Sequence, residues 1–390
     1  MALIPLSYNL RSLIVRWPST ILTVLGIAAT VAVLVGVMAL QQGFTALFRA
    51  QGRDDVAVFL RQGATNEGDS AFTRERAMIL MKTVPEIAED EAGRRLVSAE
   101  CYLAVRRNKT GGGGETNVPV RGVMPMSFVI FGRDITFSQG RNFTPGTDEV
   151  IIGAKLAERI EGARLGEVLQ FNTTPFRVVG IFEHDGPFSS EIWGDHDRIS
   201  EALERPVYNR VIAKLNDETD WPELVRRMDQ DPQVPSKLLT EREYLTSQTS
   251  AFSFVLSALG VFLAVIMGIA AVFTATNTML TAIAARTIEI GILLSMGFRP
   301  HAVFLGFMLE ALLLGIMGGI VGALIVLPLN GIQTGAMNFQ TFTEVAFAFR
   351  VTPQILFGAI VFAAMLGILG GAIPAWRAAR MRPTEAMRRG

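Results

Sequence analysis

The sequence has 390 residues, of which 50% are hydrophobic and 18% are charged. So apolar a composition excludes an ordinary water-soluble enzyme of this length. Lys and Arg together number 36, as do Asp and Glu, but residues 41–250 hold 26 of the basic residues and 32 of the acidic ones. That segment has a net charge of −6 and is predicted to be water-soluble, whereas both flanks are apolar and basic.

Four apolar runs are long enough to cross a bilayer, which takes about 20 helical residues. They predict a membrane α-helical protein with four transmembrane helices, at residues 21–40, 251–280, 302–328 and 354–376. The first run could instead be a secretory signal peptide, because it is N-terminal with basic flanks. It exceeds the usual apolar core of about 7–15 residues, however, and continues as an amphipathic helix without a good cleavage site. We therefore predict a retained span.

The segment between the first two spans, residues 41–250, is predicted to be a large α+β domain. Its helical patterns lie at residues 73–87 and 149–160, the second as a helix or a strand followed by a helix. Three β-branched segments with period-two alternation predict strands at residues 56–61, 117–123 and 175–182.

Two long helices are predicted to join this domain to the membrane. No helix breaker separates Ser236 from the second span, which suggests one continuous helix. The first span likewise continues into QQGFTALFRAQG. The domain is therefore expected to sit on two stalk helices.

Several short motifs in the domain are weak evidence for chemistry. TGGGGE at residues 110–115 lacks the Lys-Ser/Thr pair of a phosphate-binding loop, and Glu115 would repel a phosphate, so a flexible hairpin tip is expected. His184 and His196 have acidic neighbours, but their spacing matches no common metal site. Cys101 is the single cysteine, which leaves a partly buried thiol or an intermolecular bridge. No Walker A motif occurs in the 390 residues.

The distribution of Lys and Arg in the short segments predicts the orientation. The N-terminal segment 1–20, the loop 281–301 and the tail 377–390 together hold nine, whereas the loop 329–353 holds only Arg350. Basic short loops remain in the cytoplasm. Both termini and the 281–301 loop are therefore predicted to be cytoplasmic, and residues 41–250 to be extracytoplasmic.

The last two spans carry small residues at four-residue spacing, which lets helix backbones approach closely in lipid. Glu310 is an acidic residue about two turns inside the third span, where an unpaired carboxylate is costly. A proton or substrate relay and a structural hydrogen bond are both compatible with it, and we favour the second. The glycines predicted to pack, within the chain or across a dimer, are Gly315, Gly318, Gly319, Gly322, Gly367 and Gly371.

The loop between spans two and three contains a short apolar helical pattern, ARTIEIGILLSMGFRP. The 12 residues from Arg286 to Gly297 are too few to span the bilayer. Arg286 and Glu289 are i, i+3 neighbours, and Gly297 and Pro300 are expected to end the helix. Such a helix could dock in a groove of a soluble partner or lie on the membrane surface; we favour docking.

These segments resemble the MacB/FtsX/LolC-type permeases of ABC transporters. ARTIEIGILLSMGFRPHAVFLGFMLEALLLGIMGGIVG is similar to their pattern R-x-x-E-I-G-I-L-x-x-x-G followed by E-A-L-L-L-G and a glycine-rich span. PAWRAARMRPTEAMRRG resembles their C-terminal motif, YNLRSLIVRWPSTILTVLGIA their first span, and residues 140–182 their periplasmic core domain. One departure is Leu294-Ser295-Met296, where the family often has Arg-Ala before the final glycine.

The resemblance implies a permease-only member that works with a separate cytoplasmic ATPase. ATP and Mg²⁺ would bind to that ATPase, and this chain would carry no cofactor. A homodimer or heterodimer of permeases, a possible periplasmic adaptor, an inner-membrane location and no nucleic-acid partner are also implied. ATP-driven closure would move the external domain through the stalks, a mechanism called mechanotransmission. The implied coupling helix, which seats in the ATPase, would use Arg286, Glu289, Ile290, Gly291, Leu293, Met296 and Gly297.

Three other functions are compatible with the sequence. The chain could be an FtsX-like regulator of cell-wall hydrolases, or a subunit of a lipoprotein-releasing complex. It could also be a membrane receptor that transports nothing. The sequence does not identify a substrate, because this scaffold supports several functions.

Overall fold

The structure, a computed structural model, describes residues 14–49, 52–131, 135–338 and 341–382. It divides into a helical unit and a sheet unit. The helical unit comprises Met1–Gly43, Phe254–Ile332 and Ala348–Gly390, and the sheet unit comprises Phe44–Ser253 and Gln333–Phe347. Part of the C-terminal motif, from residue 383 onward, lies outside the described residues.

The secondary structure alternates between the two units along the chain. The helices are α1 (Trp17–Arg49), α2 (Arg74–Thr83), α3 (Pro125–Phe131), α4 (Ala154–Ala157), α5 (His196–Ala202), α6 (Trp221–Asp229), α7 (Glu241–Ala285), α8 (Thr287–Ser295), α9 (Pro300–Val326) and α10 (Pro353–Ala379). The strands are β1 (Val56–Arg61), β2 (Val97–Asn108), β3 (Glu115–Val123), β4 (Thr136–Gly140), β5 (Glu149–Gly153), β6 (Val168–Phe171), β7 (Thr174–Glu183), β8 (Ile192–Asp195), β9 (Arg210–Lys214), β10 (Ser236–Thr240), β11 (Gln333–Met337) and β12 (Glu344–Ala348).

Four helices in the described part of the chain are long and apolar enough to cross a membrane: α1, α7, α9 and α10. At 1.5 Å per residue, the 33 residues of α1 and the 45 of α7 extend for about 50 Å and about 68 Å. The hydrocarbon core of a bilayer is about 30 Å thick, so both helices are longer than a span requires. The predicted fold class, four spans with a large α+β domain, is confirmed.

Side-chain hydroxyl groups add hydrogen bonds between helices of the helical unit. Thr30 of α1 donates to the Met267 carbonyl of α7 at 3.4 Å, and Thr276 of α7 donates to the Gly370 carbonyl of α10 at 2.9 Å. The apolar contacts around them are made by buried residues of all four long helices: Ile27, Val31, Val35, Ala271, Val326, Ile355, Ala359, Ala363 and Leu366.

Within the described ranges, the sheet unit is built on ten strands in the order β10-β1-β9-β2-β3-β8-β5-β7-β4, with β6 also on β7. The β3/β8 and β5/β7 pairs are parallel and the others are antiparallel. One apolar core lies around β1, β9 and β2, and a second around β5, β7 and β8. The TGGGGE stretch turns the β2–β3 hairpin, as the sequence predicts.

The prediction of one continuous helix from Ser236 is wrong. Ser236–Thr240 is strand β10, which pairs antiparallel with β1, and α7 begins only at Glu241. The start is fixed by a capping box, in which the Glu243 amide donates to the Thr240 hydroxyl at 3.0 Å and the Thr240 amide donates to the Glu243 carboxylate at 3.1 Å. Pairing with β1 and this cap together override the helical pattern.

Two other segments differ from the predicted pattern. The helix predicted over residues 73–87 ends at Thr83, because Pro85 cannot continue it. The 329–353 loop contains the hairpin β11–β12, which was not predicted. Residues 149–160 form a strand and then a short helix, one of the two predicted alternatives.

The buried thiol of Cys101 gives a prediction for chemical labelling. Burial raises the pKa of Cys101 to about 12, so the group is a protonated, inaccessible thiol at pH 8, and the thiolate is the reactive form. We expect no maleimide labelling of the folded protein in detergent at pH 8, and complete labelling after denaturation. Equal labelling rates in the native and denatured samples would contradict this burial.

Candidate functional site

The short helix α8 lies between the membrane-spanning helices α7 and α9. It ends in a Schellman motif, in which the Gly297 amide donates to the Leu294 carbonyl and the Phe298 amide donates to the Leu293 carbonyl, both at 3.2 Å. Gly297 has φ +94°, a conformation that glycine adopts without strain. Pro300 begins α9 and does not end α8.

The residues of α8 divide between a buried face and an exposed face. Ile290 and Gly291 are buried, and Ile290 belongs to an apolar cluster with Met279 and Ile283 of α7, Val303, Phe307 and Ala311 of α9, and Ala375 and Ala378 of α10. Ile288, Ile292 and Met296 are 47%, 44% and 64% exposed. With Glu289, which is also exposed, these three form the exposed face of α8, which we call the docking face because it is the candidate surface for contact with a partner. Of the predicted coupling-helix residues, Glu289 and Met296 lie on this face, whereas Ile290 and Gly291 hold the helix in place.

The charged residues at the start of α8 contact the third span. Arg286 is buried at the N-cap of α8, and its Nη1 lies 3.5 Å from Oε2 of Glu310 in α9. Its Nε lies 3.7 Å from the exposed Glu289 carboxylate. The structure therefore gives Glu310 an ion-pair contact inside the protein and buries the Arg286 side chain.

The predicted glycines of α9 form two stripes that face two different helices. A Cβ atom added at Gly315 would lie 2.5 Å from the Ala363 carbonyl oxygen of α10, whereas one added at Gly318 would lie 2.7 Å from Ile27 of α1. The first stripe, completed by α10, consists of Gly315, Gly319, Gly367 and Gly371; the second consists of Gly318 and Gly322. Within one chain, these glycines let α9 pack closely against α1 and α10.

The sheet unit contains buried ion pairs. Arg121 of β3 contacts Glu67 at 2.5 Å, Glu100 at 3.1 Å and Glu191 at 2.7 Å. Although burial itself lowers it, the Glu191 and Glu67 carboxylates hold the pKa of Arg121 well above its ordinary value. Arg210 contacts Glu67 at 2.9 Å and Glu100 at 2.6 Å. We call these residues the charge network: Glu67, Glu100, Arg121, Glu191 and Arg210.

The first turns of α7 are connected to the charge network. The Tyr244 hydroxyl donates to Glu67 at 2.9 Å. Burial tends to raise the pKa of Glu67, but Arg121 and Arg210 lower it below its ordinary value. The network thus joins the centre of the sheet to the beginning of α7 through fully buried, hydrogen-bonded charges.

The two histidines considered as metal ligands take part in separate packing interactions. The Gly186 amide donates to Nδ1 of His184 at 2.8 Å. The ring of His196 stacks on Tyr208, with centroids 4.1 Å apart. Among the described residues, no group of three or more His, Cys, Asp or Glu side chains could hold a metal ion.

Two domain families match consecutive parts of the sequence. Residues 20–231 match the MacB-like periplasmic core domain, and residues 247–383 match the FtsX-like permease C-terminal domain. The chain belongs to the MacB/FtsX-type ABC transporter permeases. The resemblance inferred from the residues is confirmed, and the docking face lies in the FtsX-like part of this permease.

Its relatives include longer transport proteins. The macrolide export ATP-binding/permease protein MacB of Acinetobacter baylyi is 25% identical over 95% of this chain and 57% of its own length. The pyoverdine export ATP-binding/permease protein PvdT of Pseudomonas fluorescens is 26% identical over 94% of this chain and 56% of its own. The permease thus spans little more than half of either relative.

A solved structure was also compared with the permease. The periplasmic region of MacB from Actinobacillus actinomycetemcomitans has a TM-score of 0.36 at 16% identity, over 50% of this chain and 92% of that one.

The hairpin β11–β12, which was not predicted, lies between α9 and α10 in the chain and belongs to the sheet unit. A polar cluster around Glu344 holds it against the rest of that unit. Glu344 is 2.7 Å from the Lys109 ammonium, accepts a hydrogen bond from the Thr116 hydroxyl at 2.6 Å and also pairs with Arg159. The sequence held a signal for this hairpin, because EVAFAF at residues 344–349 alternates as a strand does.

An aromatic cluster in the sheet unit joins the hairpin to both stalk helices. The buried ring of Phe347 lies 5.3 Å from Phe44 of α1 and 6.4 Å from Phe252 of α7, between ring centroids. Phe44 and Phe252 are themselves 4.1 Å apart. The hairpin therefore packs against those residues of α1 and α7 that belong to the sheet unit.

Proposed function

We propose that this permease couples ATP hydrolysis by a separate cytoplasmic ABC ATPase to movement of its sheet unit, for export or extraction of a substrate. The observation that carries the proposal is the docking face of α8, since three apolar side chains and one carboxylate are exposed on a helix that is otherwise anchored. An amphipathic helix with this pattern suits a groove on a partner protein.

The composition of the spans favours a function in which the sheet unit moves, rather than one in which a solute is conducted between the spans. Glu310 is the single charged residue in the four predicted spans, and its carboxylate is paired with Arg286. A relay needs a series of titratable or polar groups, whereas α1 and α7 are uninterrupted helices that contribute residues to both units. In this proposal, a push on α8 would reach the sheet unit along α7, which precedes α8 in the chain as one continuous helix.

The proposal also includes the membrane location of the permease and the proteins that act with it. The distribution of Lys and Arg supports cytoplasmic termini, a cytoplasmic α8 and a periplasmic sheet unit in the inner membrane. Two permease copies, identical or different, would act with the ATPase, which would bind ATP and Mg²⁺, and a periplasmic adaptor could join them. In this proposal the permease chain is not an enzyme by itself and has no nucleic-acid partner.

Acidic substitutions on the docking face test the proposal. We expect Ile292→Glu/Met296→Glu to reduce co-purifying, vanadate-sensitive ATP hydrolysis at least tenfold, because the groove would lose two apolar side chains and receive two charges. Each buried aliphatic side chain contributes about 1.5–3 kcal/mol, and 1.4 kcal/mol corresponds to about tenfold in affinity. The measurement is ATP hydrolysis per mole of tagged permease eluted from detergent extracts.

The matched control is His301→Glu, which adds a charge at an exposed position in the first turn of α9, outside α8. It should keep wild-type hydrolysis. If the docking-face variant retained as much co-purifying ATP hydrolysis as wild type, docking at α8 would be refuted. Absence of ATP hydrolysis from the wild-type eluate would refute the ATPase partner and favour a receptor.

A further inference from the structure

The junction between α7 and α8 is a single residue, Arg286, which lies between Ala285 and Thr287. Glu310 is ten residues into α9, about 15 Å along its axis from Pro300. The contact between Arg286 and Glu310 therefore joins the α7–α8 junction to the third span at a point well away from the short α8–α9 link. It acts in addition to the chain connection through α8 and the apolar contacts of α8 with α7 and α9.

The two carboxylates near Arg286 are in different environments. The Arg286 and Glu310 side chains are 10% and 8% exposed, whereas that of Glu289 is 58% exposed. Separating a buried pair leaves an uncompensated charge and is strongly unfavourable, but an exposed pair is screened by water and contributes little. The contact with Glu310 is therefore the one that resists separation of the junction from α9.

We propose that Glu310 is a positioning residue that, through Arg286, makes the α7–α8 junction and α9 move as one body when the docking face is pushed. This rests on the proposed function, in which that push comes from the ATPase. Spans two and three would then respond together, and α8 could not be displaced with α7 alone. Glu289 would act only on the exposed side of Arg286.

The test measures the distance between α7 and α9 directly. Spin labels are attached at Ala285→Cys and Leu324→Cys, both exposed, in a Cys101→Ser background, and labelled chains are diluted with unlabelled ones in nanodiscs. Electron–electron resonance gives the distance distribution for the permease alone and for the ATPase complex with ATP and vanadate. With Glu310 present, we expect a narrow distribution whose mean is the same in both states.

Glu310→Gln keeps the shape of the side chain and removes its charge. We expect it to broaden the distribution at least twofold in the permease alone, and to shift its mean in the vanadate state. The charge reversal Arg286→Glu/Glu310→Arg should restore the narrow distribution, which a purely steric role of Glu310 would not produce. Glu289→Gln is the matched control and should leave the distribution narrow.

The outcomes separate this inference from the proposed function. Unchanged width and mean in Glu310→Gln, or no recovery in the reversed pair, would overturn the role of Glu310. ATP hydrolysis that fails to co-purify with wild type would overturn the proposed function, while the widths measured on the permease alone would still decide whether Glu310 links the junction to α9.

Discussion

Replacing Arg121 with Met is expected to destabilise the sheet unit by about 3–5 kcal/mol, the usual effect of removing one partner of a buried ion pair. A domain is typically stable by about 5–15 kcal/mol, so this loss would remove a large fraction of the stability of the unit. The cause is electrostatic: Glu67 and Glu100 would keep their contacts with Arg210, whereas the buried Glu191 would lose its ion pair with Arg121.

The single cysteine makes this loss measurable in the sheet unit alone. Cys101 is buried in β2, so its rate of maleimide labelling against urea concentration reports opening of this unit without interference from the spans. Arg121→Met should lower the midpoint of the labelling curve sharply. The matched control is Arg94→Met, which removes a pair with Asp90 on the surface, and it should leave the midpoint unchanged. Similar midpoints for the two variants would contradict a stabilising charge network.

The four spans and the end of α8 could be predicted from the sequence, because each depends on residues that are close together in the chain. Apolar runs predicted the four spans because lipid requires about 20 apolar residues wherever a helix crosses it. Gly297 predicted the end of α8 because its positive φ is a local requirement. The capping box of Thr240 and Glu243 was equally local, and it would have predicted the start of α7.

The charge network could not be predicted in this way, because its members are far apart in the sequence. Arg121 is 54 residues from Glu67 and 70 from Glu191, and Arg210 is 143 from Glu67. Strand order in the sheet brings them together, and that order is not determined by any one segment. For the same reason, the 24-residue separation of Arg286 from Glu310 hid their contact, and the resemblance placed Arg286 among the coupling-helix residues that would seat in the ATPase.

The burial of α8 also depends on tertiary structure. A helix wheel shows that Ile288 and Ile290 are on different sides, but not which side faces the spans. The cluster formed with α7, α9 and α10 buries Ile290 and leaves Ile288 exposed. The resemblance named Ile290 among the coupling-helix residues and did not name Ile288, whereas the fold buries Ile290 and exposes Ile288.

Replacing Gly367 with Ala is expected to destabilise the helical unit, although alanine is the better helix former. A Cβ at this position would overlap the Ala311 carbonyl oxygen and lie 3.0 Å from Cα of Gly315. The atoms in the way belong to the α9 backbone, which cannot rotate aside as a side chain can, so the two helices must separate. Overpacking of this kind typically costs about 1–3 kcal/mol.

Gly358→Ala is the matched control, because it makes the same substitution on the same helix at a position where a Cβ would meet nothing within 4 Å. Both variants gain helix propensity, worth about 1 kcal/mol, so the difference between them isolates the packing of α9 against α10. We expect thermal unfolding in detergent to begin at a lower temperature for Gly367→Ala and at an equal or higher temperature for Gly358→Ala, relative to wild type. Equal shifts would mean that α9 and α10 do not approach as closely as described.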